Sequence, residues 1–187
     1  LVALLLAGHF SLMGPARAQE NAAWSVTTVS GDAQLRAGDA EWQPLTSGIQ
    51  IGIGTEIRTG VDGRAVLTRG DEAVTISPSS SFEPKAADNG MMTRILQRAG
   101  SLRVKVHKEP DRHFEVQTPY RVAAVKGTTF TVSVDDTGGA VHVIEGLVEV
   151  GGLSGVDRIL VRPGTTASVA SQRGSKVQIG TTPRKPK

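Results

Sequence analysis

Residues 101–107 read Ser-Leu-Arg-Val-Lys-Val-His, a strict alternation of polar and apolar side chains. A period of two puts Leu102, Val104 and Val106 on one face of an extended strand and Arg103, Lys105 and His107 on the other. Similar short runs cover residues 24–29, 33–36, 55–59, 64–68, 73–76, 114–118, 128–134, 140–144 and 147–150. Each is close to the usual strand length of about 5–6 residues. Turn signals separate them, among them Ser30-Gly31-Asp32, Val61-Asp62-Gly63, Arg69-Gly70-Asp71 and the stretch from Asp135 to Gly139. Asp62-Gly63 and Gly138-Gly139 are hairpin-type dipeptides, because Gly tolerates the positive φ that tight hairpin turns need. Helical periodicity is scarce, and its best candidate is residues 91–98. The pattern predicts an all-β chain and excludes a helix bundle and an alternating βαβ architecture.

Composition narrows the core. Gly numbers 22 and aromatic residues make up 4%, which fits many tight turns around a core of Val, Ile, Leu and Ala. The absence of Cys excludes a disulfide scaffold, a thiolate nucleophile and thiolate-held zinc or iron–sulfur centres. Gly100-Ser101-Leu102-Arg103-Val104 is echoed by Gly146-Leu147-Val148-Glu149-Val150, and Gly31-Asp32-Ala33-Gln34-Leu35 has the same glycine-then-alternation shape. Stacked β-hairpins or a β-solenoid-like coil would produce such echoes. A β-sandwich built with generic turn chemistry would produce them too.

The two ends differ from the body. Residues 1–18 hold an apolar run broken by Gly8 and His9, then Pro15 and Ala16-Arg17-Ala18. The run is too short for a span of about 20 apolar residues. The A-x-A ending predicts a signal peptide cleaved after Ala18, with a retained anchor or a buried segment as alternatives. The expected division is a signal peptide at 1–18, one all-β domain at 19–170 and a basic, flexible tail at 171–187. The expected place of work is the periplasm or the cell exterior. Of the 21 basic residues, Arg17 falls in the leader and Arg184, Lys185 and Lys187 in the last four positions. The body between them is close to neutral against 18 acids, so it offers no general basic field for nucleic acid.

The segment Thr118-Pro119-Tyr120-Arg121-Val122-Ala123-Ala124-Val125-Lys126-Gly127-Thr128-Thr129-Phe130-Thr131-Val132 resembles the signature of FecR-type domains, T-P, a short apolar strand, then V-x-G-T-x-F-x-V. Leu45, Gly48, Gly54, Ile57, Thr59 and Gly60 resemble the family's earlier glycine-bearing stretch, and Arg162-Pro163-Gly164 its closing turn. The resemblance runs over roughly residues 24–170. It implies a periplasmic-type domain of the kind found in envelope regulators that control a sigma factor and sense an outer-membrane transporter. The quoted segments match only that domain. They therefore imply a binding or scaffolding module ahead of direct sigma-factor control. Physics gives the signature residues Thr118, Pro119, Val125, Gly127, Thr128 and Phe130 structural work: Pro119 ends a ladder, Gly127 permits an unusual or crowded backbone, and Phe130 anchors the core.

Catalytic patterns are lacking. There is no G-x-S-x-G, H-E-x-x-H, S-x-x-K or Walker loop, so the expectation is a non-enzymatic protein with no cofactor. His107-Lys108-Glu109-Pro110-Asp111-Arg112-His113 gathers two imidazoles and two carboxylates around a proline, with basic neighbours that oppose a metal. It reads as a solvated hairpin loop, and no metal ligand is assigned. Arg103, Lys105 and His107, with Arg94, Arg98 and Arg112 near in sequence, form the candidate partner-binding basic face. Three functions compete. The first is a module that binds an envelope protein, by strand pairing or through that face. The second is a sensor or regulatory component of envelope signalling, linked to a sigma factor or transporter. The third is a glycan-binding or glycan-acting protein. Nucleic acid is not an expected partner, and any membrane contact is expected to be peripheral.

Overall fold

In a computed structural model of the chain, described for residues 23–86, 93–111, 113–152, 158–171 and 176–180, eighteen strands form two nine-stranded sheets. The chain shuttles between them. β1 (Trp24–Ser30) lies in the first sheet, and β2 (Ala33–Ala37) and β3 (Gln43–Pro44) form a hairpin in the second. β4 (Gln50–Ile51) returns to pair with β1, and β5 (Thr55–Thr59) goes back beside β2. The hairpin β6 (Arg64–Arg69)–β7 (Glu72–Ile76) is in the first sheet, and β8 (Ser81–Lys85)–β9 (Thr93–Leu96) is in the second. β10 (Gly100–Lys105) makes a single excursion into the first sheet. Hairpins then alternate: β11 (Phe114–Gln117)–β12 (Val122–Val125), β13 (Thr129–Asp135)–β14 (Gly138–Glu145), β15 (Val148–Gly151)–β16 (Ile159–Val161) and β17 (Thr166–Ala170)–β18 (Gln178–Gly180).

Both sheets therefore grow in the same direction along the molecule. Apart from β1–β4 and β2–β3 at one end, strand order follows chain order. The all-β expectation holds. The layout is the sandwich alternative, assembled by stacking hairpins in succession. Antiparallel pairing prevails, and β9–β11 is parallel. One lone strand, β10, separates those two, so the chain makes a full coil and comes back in its original direction.

The alternation seen in the sequence directs the packing. The inward residues of both sheets, including Val26, Leu67, Val74, Ile76, Leu102, Val104, Phe130 and Val132 from one and Ile57, Phe82, Ile95, Phe114, Val116 and Val148 from the other, form one continuous core. Each fully buried large side chain contributes roughly 1.5–3 kcal/mol relative to exposure. Trp24 meets Phe82 and Phe114 edge-on, with ring centroids 5.9 and 6.3 Å apart. Edge-to-face contacts suit the ring quadrupoles.

Two local expectations change. Residues 93–96, within the helix candidate, form β9, because Ile95 faces the core at a period of two. Gly138-Gly139 does sit at a hairpin, β13–β14. Asp62-Gly63 instead lies where the chain crosses from β5 to β6, in different sheets. The echo glycines mark such corners as well. Gly31, Gly100 and Gly146 precede sheet changes and all have positive φ. At Gly100 a β-carbon would sit 2.4 Å from the Ser79 carbonyl oxygen, so side chains are excluded there by space as well as by torsion. Gln178–Gly180, in the tail region, pairs with β17. Residues 1–22 and 181–187, which hold the expected leader and the basic end, lie outside the described residues.

Candidate functional site

The signature segment spans the turn into β12 and the crossing from β12 to β13. Thr118 builds the turn. Its hydroxyl donates to the Arg121 carbonyl at 2.9 Å and accepts from the Arg121 amide at 2.9 Å. Pro119 is exposed at the bend, as a residue without an amide donor can be. Val125 and Phe130 are buried core residues, and Thr128 is buried beside them. Gly127 has a φ of 150° and lies against the segment that follows β10. Backbone bonds join the two: Val106 and Thr128 exchange amides and carbonyls, and the Glu109 amide donates to the Lys126 carbonyl at 2.7 Å. The Lys126 ammonium reaches the Pro110 carbonyl at 2.8 Å. The signature thus forms the platform on which residues 106–110 rest.

Arg103 and Lys105 project from the outward face of the first sheet. Arg103 lies between Thr75 and Thr131, and Lys105 between Ala73 and Thr129. Ser101, Ser133 and Ser168 continue this hydroxyl-rich surface across β10, β13 and β17. No ion pair to Arg103 or Lys105 occurs among the described residues.

The other members of the expected basic face are elsewhere. Arg94 and Arg98 belong to the second sheet side. Arg94 pairs with Glu115 at 2.9 Å, while Arg98 bridges Glu56 at 3.0 Å and Glu83 at 2.8 Å. Arg36 also binds Glu56, and Lys85 binds Glu83. Burial pushes the Glu83 carboxyl up, but hydrogen bonds from Lys85 and Arg98, with their positive charge, outweigh it and hold the group below the ordinary carboxylate value. Arg112 is outside the described residues.

His107 is engaged by carboxylates. β10 ends at Lys105, and beyond it the His107 Nε2 lies 2.6 Å from Glu109 Oε1 while its Nδ1 faces Glu72 Oε1 at 3.8 Å. The segment 106–113 is a crossover between sheets, not a hairpin loop, and it carries His113 to within 3.7 Å of the same Glu72 oxygen. Sequence reasoning did not single out Glu72. It stands 35 positions before His107, at the start of β7, and only the pairing of β7 with β10 brings the two together.

Among the described residues, Trp and Phe rings offer no open platform. Trp24, Phe82, Phe114 and Phe130 are buried, and Trp42 is covered by the guanidinium groups of Arg36 and Arg58 at 4.5 and 3.9 Å from its ring centre. A cleft lined by Thr118, Arg121, Val132, Val141, Ala167 and Val169 has room for about one water, about 10 Å³. No helix among the described residues is long and apolar enough to cross a membrane.

Comparison with known proteins gives two kinds of match. The sequence pattern of the FecR protein family fits residues 55–149. Two crystal structures, at 1.65 and 2.50 Å resolution, of a provisionally assigned anti-sigma factor from Parabacteroides distasonis ATCC 8503 share the fold with a TM-score of 0.58 and 19% identity. The match covers 67% of this chain and 58% of that one, so the chain spans little more than half the length of the solved protein. No curated protein matches.

Proposed function

The chain belongs to the FecR protein family, and on that premise we propose that it is a non-enzymatic docking module of the cell envelope, acting in envelope signalling on the periplasmic or outer side. It engages an acidic protein partner through the outward face of the first sheet. The observation that carries this reading is that two exposed cations of the first sheet lack internal carboxylate partners. On the second sheet Arg36, Lys85, Arg94, Arg98 and Arg158 all have carboxylate partners within the molecule. On the first sheet Arg103 and Lys105 have none among the described residues. Cations left without internal partners on a flat, hydroxyl-rich face suit carboxylates brought by another protein.

The fold shared with a provisional anti-sigma factor supports a regulatory role over catalysis. Glycan recognition has less support, because sugars favour exposed aromatic faces, and Trp24, Phe82, Phe114 and Phe130 are buried while Trp42 is covered. The test is a crosslinked pull-down from the envelope fraction with the wild-type chain and the double variant Arg103→Glu, Lys105→Glu. One saturable protein partner, lost in the double variant, is the expected result. Recovery of glycan fragments alone, or a partner retained at full strength by the variant, would overturn the docking assignment.

A further inference from the structure

Glu72, His107 and His113 each direct one ligand atom to a common point at the end of the first sheet, the three atoms lying within 4.8 Å of one another. Glu72 is the least expected of them. Its side chain is 4% exposed, yet its Oε1 has no hydrogen-bond partner. The Nε2 of His113, on a side chain 11% exposed, is likewise buried and without a partner. These two orphaned atoms face each other at 3.7 Å, too far for a hydrogen bond, and His107 Nδ1 stands 3.8 Å from the same oxygen. Buried polar atoms are rarely left unsatisfied, because the loss of their water is then uncompensated, so a cluster of them pointing inward calls for a ligand.

The remaining atoms of the cluster are occupied in the way a metal site requires. Arg69 holds Glu72 by its other oxygen, Oε2, and is itself stacked 4.6 Å over the Trp24 ring. That leaves Oε1 alone to face the imidazoles. Glu109 takes the far nitrogen of each ring, at 2.6 Å from His107 Nε2 and 3.5 Å from His113 Nδ1. The Asp111 carbonyl lies 3.2 Å from His113 Nδ1. Carboxylates on the far nitrogens fix the tautomer that leaves the near nitrogens as lone-pair donors. The two imidazole rings lie 4.8 Å apart between centres, tilted by 46°. Two carboxylates against the single guanidinium of Arg69 leave the cluster one charge negative before any cation enters.

We propose that Glu72 Oε1, His107 Nδ1 and His113 Nε2 bind one divalent transition-metal ion of the zinc class, with Glu109 as the positioning carboxylate behind both imidazoles. Bonds of roughly 2.0–2.2 Å in a tetrahedral site put neighbouring donors about 3.4 Å apart. The two Glu72–imidazole distances of 3.7 and 3.8 Å need shifts of a few tenths of an ångström, and the two imidazole nitrogens, within 4.8 Å of each other, must approach by up to about 1.4 Å, which rotation of the exposed His107 ring supplies. Two nitrogens and one oxygen favour zinc, cobalt or nickel over magnesium and calcium, which prefer oxygen shells. His107 is 40% exposed, so a fourth position opens to solvent. The site pins the crossover 106–113 to the β6–β7 hairpin. This assignment does not depend on the docking face or its partner.

The test is calorimetric titration of the untagged, chelator-stripped chain with Zn²⁺, Co²⁺ and Mg²⁺, alongside thermal melting with and without Zn²⁺. One Zn²⁺ per chain, one Co²⁺ with visible ligand-field bands, no Mg²⁺ binding and a rise in Tm with Zn²⁺ are expected. His107→Ala, an exposed substitution that keeps the fold, weakens Zn²⁺ binding more than tenfold and abolishes the Zn²⁺-dependent rise in Tm. Glu109→Gln weakens it by about 10–100-fold, and Lys176→Ala, at an exposed position with no part in the cluster, leaves it unchanged. Absence of saturable Zn²⁺ binding to the wild type, or equal binding by His107→Ala, would overturn the site and leave the cluster as histidine–carboxylate ion pairs.

Discussion

Gly127 lies so close to Lys108 that a β-carbon on the glycine would sit 2.4 Å from the Lys108 Cα. Its φ of 150° is one that side-chain-bearing residues rarely adopt. The two effects act together, since the clash is with backbone and cannot be relieved by a rotamer change. Gly127→Ala is expected to lower stability by about 2–3 kcal/mol. Gly48→Ala tests the torsion alone. Its φ is 87° but the space around it is open, so a loss nearer 1 kcal/mol is expected. Urea denaturation of the two variants checks this, and equal midpoints would show that the contact with Lys108 carries no weight.

Why Gly127 matters could be guessed from its place in Val-Lys-Gly-Thr-Thr-Phe, but not what it touches. A period of two reports which residues face inward, and Leu102, Val104 and Val106 are all buried as that period requires. It says nothing of which sheet a strand joins. A glycine-containing turn that closes a hairpin looks the same in sequence as one that crosses to the opposite sheet, so Asp62-Gly63 misleads and Gly138-Gly139 does not. The basic face suffers from the same limit. Arg94 and Arg98 are near Arg103 in sequence, yet the crossover at Gly100 puts them on the other sheet side. The cluster of Glu72 with His107 and His113 depends on strand pairing across more than thirty residues, which no local pattern records.

The signature residues are expected to divide by burial, whatever their shared appearance in the sequence. Phe130 is fully buried, and Phe130→Ala would open a cavity between the sheets and cost about 3–5 kcal/mol. Pro119→Ala changes an exposed bend whose geometry is held by the Thr118 hydroxyl, and is expected to stay within about 0.5 kcal/mol. Thermal melting of both variants distinguishes this from a uniform role. If Pro119→Ala were as damaging as Phe130→Ala, the turn would owe its shape to the proline ring.

Glu83 gives the fold a defined acid sensitivity. Its folded carboxyl is held below the ordinary value of 4.5 by Lys85 and Arg98 despite burial. A lowered folded value means that the stabilisation is complete above the unfolded value near 4.5. It is lost as pH falls through the folded value, because the unfolded chain takes up the proton first. One such group gives a slope approaching about 1.4 kcal/mol per pH unit between the two values. Glu83→Gln is expected to be less stable than the wild type at pH 7, with a flatter decline in acid. Urea midpoints measured from pH 7 down to pH 3 test it, and parallel curves would assign the acid response to other groups.

Arg103 and Lys105 provide the sharpest separation of folding from docking. Both are exposed and neither has an ion-pair partner among the described residues, so reversing their charge removes no internal interaction. The double variant Arg103→Glu, Lys105→Glu is expected to keep its urea midpoint, with a stability change within about 0.5 kcal/mol per site. Its effect falls on association. Charge pairs at an exposed face act mainly on the encounter rate and weaken with salt, since the screening length is about 8 Å at physiological ionic strength. Wild-type binding to the captured partner should therefore weaken as salt is raised, through a slower on-rate, while the double variant binds weakly at every salt concentration. Thr131→Ala, on β13 directly beside Arg103 and without charge, should leave the salt dependence unchanged. A wild-type affinity insensitive to salt would mean that the partner docks elsewhere, with the edge strands β16 and β18, which expose Leu160 and Ile179, as the next surfaces to substitute.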